Sequence, residues 1–520
     1  MKLVLVFLFA LFSIASLSQS PKNYKIIEGP EMQGKRSSIE QVIGVMGENI
    51  LICRKEKNKY FLEVIDQSAA IIKSVPLGNL EFEGSKKQYV DALILKNKLF
   101  VRFSAINKRN KIVIGIIDEY DIESLTFKKN ISADKTSIDG AKKIYWYGIG
   151  VNRAISELSE SGFYISNDRN YVVDYSSSFD KAKDTEENIS MRVYDENMSL
   201  FWEKEFKMPY SNDLFKITKV IVDEKGNTHL LGKEFFEKNA DKKRGKTNFK
   251  YHVISFLSGG KSIKDNTIEL DSEFITDATL GITSEGYLIA SGFYSSVGSY
   301  SINGAFSVKI DIDKKRVIST NKKEFENSFI RSGMTSREIK RSEKKENKGE
   351  DLEMPDFDLD HLVLMPDGGW MLMAEQFYIT TRTYMTSGPN GSMQTRTEYV
   401  YNYDDIILVR MNNKGEIIWN VKVGKHQSSS GSTARLSYSW FYCNDTLYIL
   451  YNGSPGSSSN LIYAEVISAD GVAVKETIMQ GGRDELYMLP RFSARTKNCQ
   501  LLIYSARKKT YQFSLMNATN

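Results

Sequence analysis

Pro366-Asp367-Gly368-Gly369-Trp370-Met371-Leu372-Met373-Ala374 is a tight turn running into a strand with no polar side. Proline presets φ at the turn and glycine takes its left-handed position at no steric cost. The strand that follows is apolar on both faces, as expected where a strand lies between neighbouring sheets, so it is not an outer edge. Before it, residues 361–365 alternate. After it come a long polar connection, then Asp405-Ile406-Ile407-Leu408-Val409-Arg410-Met411, the turn Asn412-Asn413-Lys414-Gly415, and Glu416-Ile417-Ile418-Trp419-Asn420-Val421. The last run alternates like a strand with one wet side. Residues 359–423 therefore read as four antiparallel strands and three connections.

Pieces of this unit recur. Residues 194–202 run parallel to 411–419, each with a turn between two apolar strands and a terminal tryptophan, Trp202 and Trp419. Residues 217–232 and 275–293 repeat the first hairpin, and 305–318 and 461–478 the second. A four-stranded antiparallel unit recurring at roughly 40 to 60 residues is the pattern of a β-propeller, because no blade can bury both faces alone. The blades fall at 41–77, 89–131, 162–208, 215–270, 274–322, 359–423, 436–479 and 489–516. The last supplies only three strands, and Tyr24-Lys25-Ile26-Ile27 is available as the fourth. The expectation is an all-β propeller of eight blades, seven being the alternative, closed into a ring by the amino-terminal strand.

At 520 residues the chain suits one closed ring, and 41% hydrophobic and 12% aromatic residues exclude general disorder. Residues 1–18 have the short basic start and apolar core of a secretory signal, with cleavage near Ser18, leaving 19–520 as a single domain that is secreted or periplasmic. No later stretch reads as a membrane span. With 70 Lys plus Arg against 65 Asp plus Glu, the charge balance does not point to nucleic acid. Three cysteines leave at least one unpaired. Cys443 and Cys499 fall near turns of adjacent blades, and both a disulfide and two separate cysteines remain open.

Residues 325–358 interrupt the blades with a basic run and then an acidic one, neither with apolar periodicity, and read as a solvated loop. Residues 133–160 fit no blade, with a short helix expected around 152–159. In an antiparallel blade the first-to-second and third-to-fourth turns share one rim of the ring. The second-to-third loops and the links between blades share the other. The first group is uniformly tight. The second holds 234–250, 295–304, 325–358, 379–404, 424–435 and 453–460, so binding is expected on that long-loop face.

The richest of these connections is 379–404. Thr380, Arg382 and Tyr384 alternate along the outgoing arm and Tyr399, Tyr401 and Tyr403 along the return, around a Gly388-Pro389-Asn390-Gly391 tip. An extended hairpin would show this aromatic and arginine face to a glycan or protein partner; the alternative is that the tyrosines pack against the next blade. His426 lies in the following link on the same face and joins these as a candidate contact, not as a catalytic group. The acidic run Asp351, Glu353, Asp356, Asp358 and Asp360 lacks the glycine and spacing of a calcium loop and reads as solvated. No cofactor, metal site or catalytic motif is expected.

Residues 367–378, 403–411 and 415–419 together resemble a block in uncharacterised secreted proteins of Bacteroidota. The resemblance spans about one blade and implies an exported propeller-like protein with no activity or site residues to transfer. Two functions compete: a non-catalytic binding or scaffold protein, and a propeller enzyme, either a glycan-active hydrolase or a quinoprotein-like oxidoreductase. The spacing of Gly415 and Trp419 resembles the repeat of quinoprotein dehydrogenases.

Overall fold

The computed structural model describes residues 24–34, 37–107, 109–110, 112–137, 143–146, 164–179, 186–211, 214–237, 242–243, 246–271, 273–298, 301–387, 393–454, 460–481, 486–497 and 499–519. The expected signal segment 1–18, the helix around 152–159 and the tip 388–391 lie outside the described residues. Eight antiparallel sheets are arranged as the blades of a β-propeller. In chain order blade 1 spans 37–76, blade 2 85–137, blade 3 143–211, blade 4 215–268, blade 5 274–324, blade 6 358–423, blade 7 438–481 and blade 8 487–518.

The turn at residues 366–369 behaves as its residues require, with Gly368 at φ +82°. The strand it starts, Trp370–Ser387, runs fully buried from Trp370 to Ala374. Blade faces are apolar because each packs on a neighbour: eight buried clusters each join two adjacent blades. One of them completes the circle by placing Ile39, Ile50, Ile52 and Ile65 of blade 1 against Leu502, Tyr504, Tyr511 and Phe513 of blade 8. Blade 8 takes its outer strand from the amino-terminal segment, Tyr24–Glu28 pairing antiparallel with Thr510–Ala518 in the register Tyr24 to Ala518 through Glu28 to Ser514. A closed ring has no radial face left to cover.

Two further devices stitch blades together. Trp202 on the outer strand of blade 3 donates its indole N–H to Gly226 O at 2.8 Å in a turn of blade 4, and Trp419 of blade 6 does the same to Ala469 O at 2.9 Å in blade 7. The tryptophan shared by the two repeats is thus an inter-blade clasp. Cys443 and Cys499 form a disulfide between blades 7 and 8 across 56 residues of sequence, while Cys53 is buried and free.

Several expectations are corrected. Residues 325–358 hold two helices, α1 (Asn327–Arg331) and α2 (Ser336–Glu346). α2 begins on a capping box in which Thr335 and Glu338 satisfy each other's backbone N–H groups, so end capping supports a helix that apolar periodicity does not announce. The outer strand of blade 2 is Phe127–Ser137, so the blade runs past the expected limit at 131 into the stretch expected to fit no blade. Blade 3 has a split inner strand, Lys143–Trp146 and Tyr164–Ile165 pairing with different halves of Tyr171–Phe179. In blade 8, Pro490–Phe492 is a 3-10 turn between short inner strands, as its proline at the first position favours. Among the described residues no helix is long and apolar enough to cross a membrane.

Candidate functional site

The long connections gather on one rim, as antiparallel alternation demands, and two neighbouring features of blades 6 to 8 stand out there. The first is the hairpin. Trp370–Ser387 and Met393–Met411 continue past the blade as a two-stranded ribbon, paired from Phe377 with Tyr403 out to Ser387 with Met393. At about 3.3 Å per residue its arms extend roughly 35 Å beyond the ladder of the blade. The extended hairpin read from the sequence is present, but its faces are not those expected. Gln376 stands opposite two residues, Asp404 and Asp405, because pairing shifts between Glu375 and Phe377. One extra residue in the return arm moves every side chain beyond it to the other face. Arg382 consequently opposes Glu398 and Tyr384 opposes Arg396, while Tyr401 opposes Ile379 and Tyr399 opposes Thr381. Arg382 and Tyr384 lie on one face; Tyr399, Tyr401 and Tyr403 lie on the other.

The tyrosine face is graded from base to tip. Tyr403 is buried, its ring 4.8 Å from Phe377, and its hydroxyl accepts from Arg491 Nη2 at 3.1 Å. Tyr401 is half-buried, and Tyr399 is 59% exposed. The same face carries Ile379 (50% exposed) opposite Tyr401 and, farther out, Met385 (67%) and Met393 (63%). The opposite face is polar, with exposed Thr380, Arg382 and Arg396 and half-buried Glu398, apart from Tyr384, Tyr378 and the buried Val400. His426 is exposed, its Nδ1 2.5 Å from Asp404 Oδ1 at the ribbon's base.

The second feature was not picked out from the sequence as a site. Asp360 is the third residue of the inner strand of blade 6, Asp358–Leu364, and the extra residue of a bulge between Leu359 and His361. Blades 1, 2, 4 and 5 carry the same irregularity at Glu40, Val90, Thr218 and Thr276. Such bulges re-aim a side chain at a sheet edge. Tyr438, on the inner strand of blade 7, donates to Asp360 Oδ2 at 2.8 Å. Behind it Glu375 is 3% exposed, pairs with Lys425 Nζ at 2.5 Å and accepts from Ser437 Oγ at 2.6 Å. Lys425 also donates to Tyr403 O at 2.9 Å, which joins the cluster to the base of the hairpin.

Charge in this cluster is unbalanced. Burial first, and then the charge of Glu375, push Asp360 well above the usual carboxylate range. Burial raises Glu375 too, against the opposing pull of Lys425. The phenol of Tyr438 is raised by burial and by both carboxylates. A carboxyl whose folded-state pKa lies above its unfolded one stabilises the fold fully below the unfolded value and loses that contribution as pH rises through the folded value. D360N, which keeps an oxygen to accept from Tyr438, should therefore raise the melting temperature at pH 7. The gain should vanish below about pH 4, where a free aspartate is itself protonated. Melting curves of both chains across pH check this, and a lower melting temperature for D360N at neutral pH contradicts it.

Other polar groupings have structural roles. Glu353 of the acidic run accepts from Ser295 Oγ at 3.0 Å and Ser296 N at 2.9 Å, strapping the link onto blade 5. A buried serine, histidine and aspartate meet in blade 4, His229 Nδ1 lying 2.8 Å from Ser255 Oγ and Nε2 3.5 Å from Asp223 Oδ2. His229 is 0% exposed and Ser255 4%, so no substrate reaches them, and Asp223 also anchors the turn through Asn227. Among the described residues no group of three or more His, Cys, Asp or Glu gathers to hold a metal ion.

No family model matches this chain, and no curated protein does. Solved structures similar in shape include a Dos1 propeller, with TM-score 0.44, 10% identity and 95% of each chain covered. Another is prolyl oligopeptidase B from Galerina marginata, at TM-score 0.41 and 8% identity over 90% of this chain and 55% of that one. A third is the alpha-L-arabinanase of Penicillium chrysogenum, at 0.30 and 11% over 72% and 97%.

Proposed function

We propose that this chain is an exported, non-catalytic binding protein that presents the hairpin of blade 6 on its long-loop face to a protein partner. The observation that carries the reading is the run of exposed Ile379, Met385, Met393 and Tyr399 along one face of a ribbon built on a rigid ring. Aliphatic and methionine side chains beside a tyrosine suit an apolar protein surface better than a sugar, which takes a flat aromatic platform. The Cys443–Cys499 disulfide supports export, since such bonds persist in oxidising compartments.

Changing Met393 and Tyr399 together to serine should weaken partner capture at least ~30-fold, the scale of two interface anchors, with the melting temperature unchanged. Crosslinking in the native envelope followed by affinity measurement on the captured protein is the readout. Undiminished capture would reject the hairpin as the binding element, and binding on a glycan array lost in the same variant would move the ligand class to sugars. One observation favours a second reading as a glycan-active hydrolase, namely the half-buried Asp360 carboxyl, held by the Tyr438 hydroxyl and raised by burial and by the Glu375 charge behind it. On that reading D360N would abolish turnover and leave binding intact.

A further inference from the structure

We propose that the return arm of the hairpin is a self-association edge, residues 393–400 of one chain adding antiparallel to the same residues of a second copy about a two-fold axis through Thr397. At the hairpin's base this edge already receives an added strand, Gln427–Ser429 pairing with Tyr401, Asn402 and Tyr403. Beyond Tyr401, among the described residues, Met393 to Val400 pair only with the outgoing arm. An open edge of this length is a template for another strand.

The sequence of the edge selects its own register. Two copies of one strand paired antiparallel about a two-fold axis normal to the ladder must place the axis on a residue, because only then do opposed side chains share a face. An axis at Arg396 opposes arginine to arginine, and one at Glu398 opposes glutamate to glutamate. The axis at Thr397 sets Arg396 of each copy opposite Glu398 of the other, two complementary cross-strand pairs, with Thr395 facing Tyr399 and Gln394 facing Val400. That axis also lies near the middle of the free edge, so overlap is close to its maximum. Arg396 is exposed and Glu398 half-buried, and within the ribbon they stand opposite Tyr384 and Arg382 of the outgoing arm.

The apolar residues give a physical reason for the pairing. A two-stranded ribbon is marginal alone, whereas four strands with one apolar face are not. In this register Ile379, Met385, Met393 and Tyr399 of both copies fall on the same side of a four-stranded sheet. The proposal goes beyond partner binding, uses the ribbon's edge and leaves its faces open, and needs no ligand for its test.

Light scattering coupled to size exclusion on the intact secreted chain should give twice the monomer mass in the micromolar range. R396E alone sets four glutamates and E398R alone four arginines around the axis, and each should weaken self-association at least ~10-fold. An equimolar mixture of the two variants opposes arginine to glutamate at both positions and should recover the dimer mass. A wild-type monomer throughout that range, single variants that still dimerise, or a mixture that stays monomeric would each overturn the proposal.

Discussion

A chain beginning at residue 34 should lose its cooperative fold or melt far below one beginning at residue 19. The segment removed supplies the outer strand of blade 8, and its contacts show what leaves with it. Tyr24 is 6% exposed and its hydroxyl donates to Glu476 Oε2 of blade 7 at 2.5 Å. Ile26 packs into the cluster between blades 7 and 8, and Ile27 and Met32 into the cluster between blades 8 and 1. Gly29 N donates to Phe513 O at 2.9 Å, and Gln512 returns a bond to Gly29 O at 2.7 Å. At about 1.5–3 kcal/mol for each large side chain removed from water, the loss is on the order of 5–10 kcal/mol. That is comparable to the whole net stability of an ordinary domain. It also bares the edge of Thr510–Ala518, so aggregation should accompany melting. Circular dichroism melting and solubility of the two chains are the measurements, and equal melting temperatures would refute the assignment of this strand as the closure.

Breaking the Cys443–Cys499 bond should give the next largest effect. Its 56-residue separation corresponds to about 4 kcal/mol in a chain-entropy account. The bond joins the turns of blades 7 and 8, so it reinforces the same seam that the borrowed strand closes. Denaturant unfolding of the wild type against C443S/C499S measures the loss. Because both devices hold one seam, the double variant and a weakened strand such as I26D should interact rather than add. Unchanged unfolding in C443S/C499S would mean that the seam is held by the strand and the apolar cluster alone.

The blades were legible because their signals are local. Alternation, turn glycines and the doubly apolar run at Trp370–Ala374 each fix a strand within a few residues, and the shortage of one strand in blade 8 pointed directly to Tyr24–Ile27. What stayed hidden depends on tertiary accounting. α2 lacks an apolar stripe, and its one sequence mark was the Thr335 and Glu338 pair spaced for a capping box. The interrupted inner strand of blade 3 is held by pairing with Tyr171–Phe179 and not by its own pattern.

At the candidate site the two arms of the hairpin were readable and their register was not. Without the extra residue at Asp404 and Asp405, Arg382 would face Tyr399 and share a face with Tyr401, as the sequence alternation suggested. A single bulge reversed that arrangement. The carboxyl cluster was missed by a narrow margin. In the sequence Asp360 stands as one of a run of acids, and Lys425 sits beside the more conspicuous His426. The available signal was Glu375, a charge ending an apolar run in which every preceding residue from Trp370 is buried. A strand interior that closes on a carboxylate implies a cation supplied from elsewhere in the fold.

The placement of the hairpin on one rim presupposes a ring that is closed by its own amino terminus. Hydrogen exchange followed by mass spectrometry on the peptide spanning residues 24–28 tests that claim most directly. Closure predicts amide protection in this segment approaching that of its partner strand, residues 510–518. Exchange of residues 24–28 as fast as that of an untethered tail, with residues 510–518 remaining protected, would contradict it.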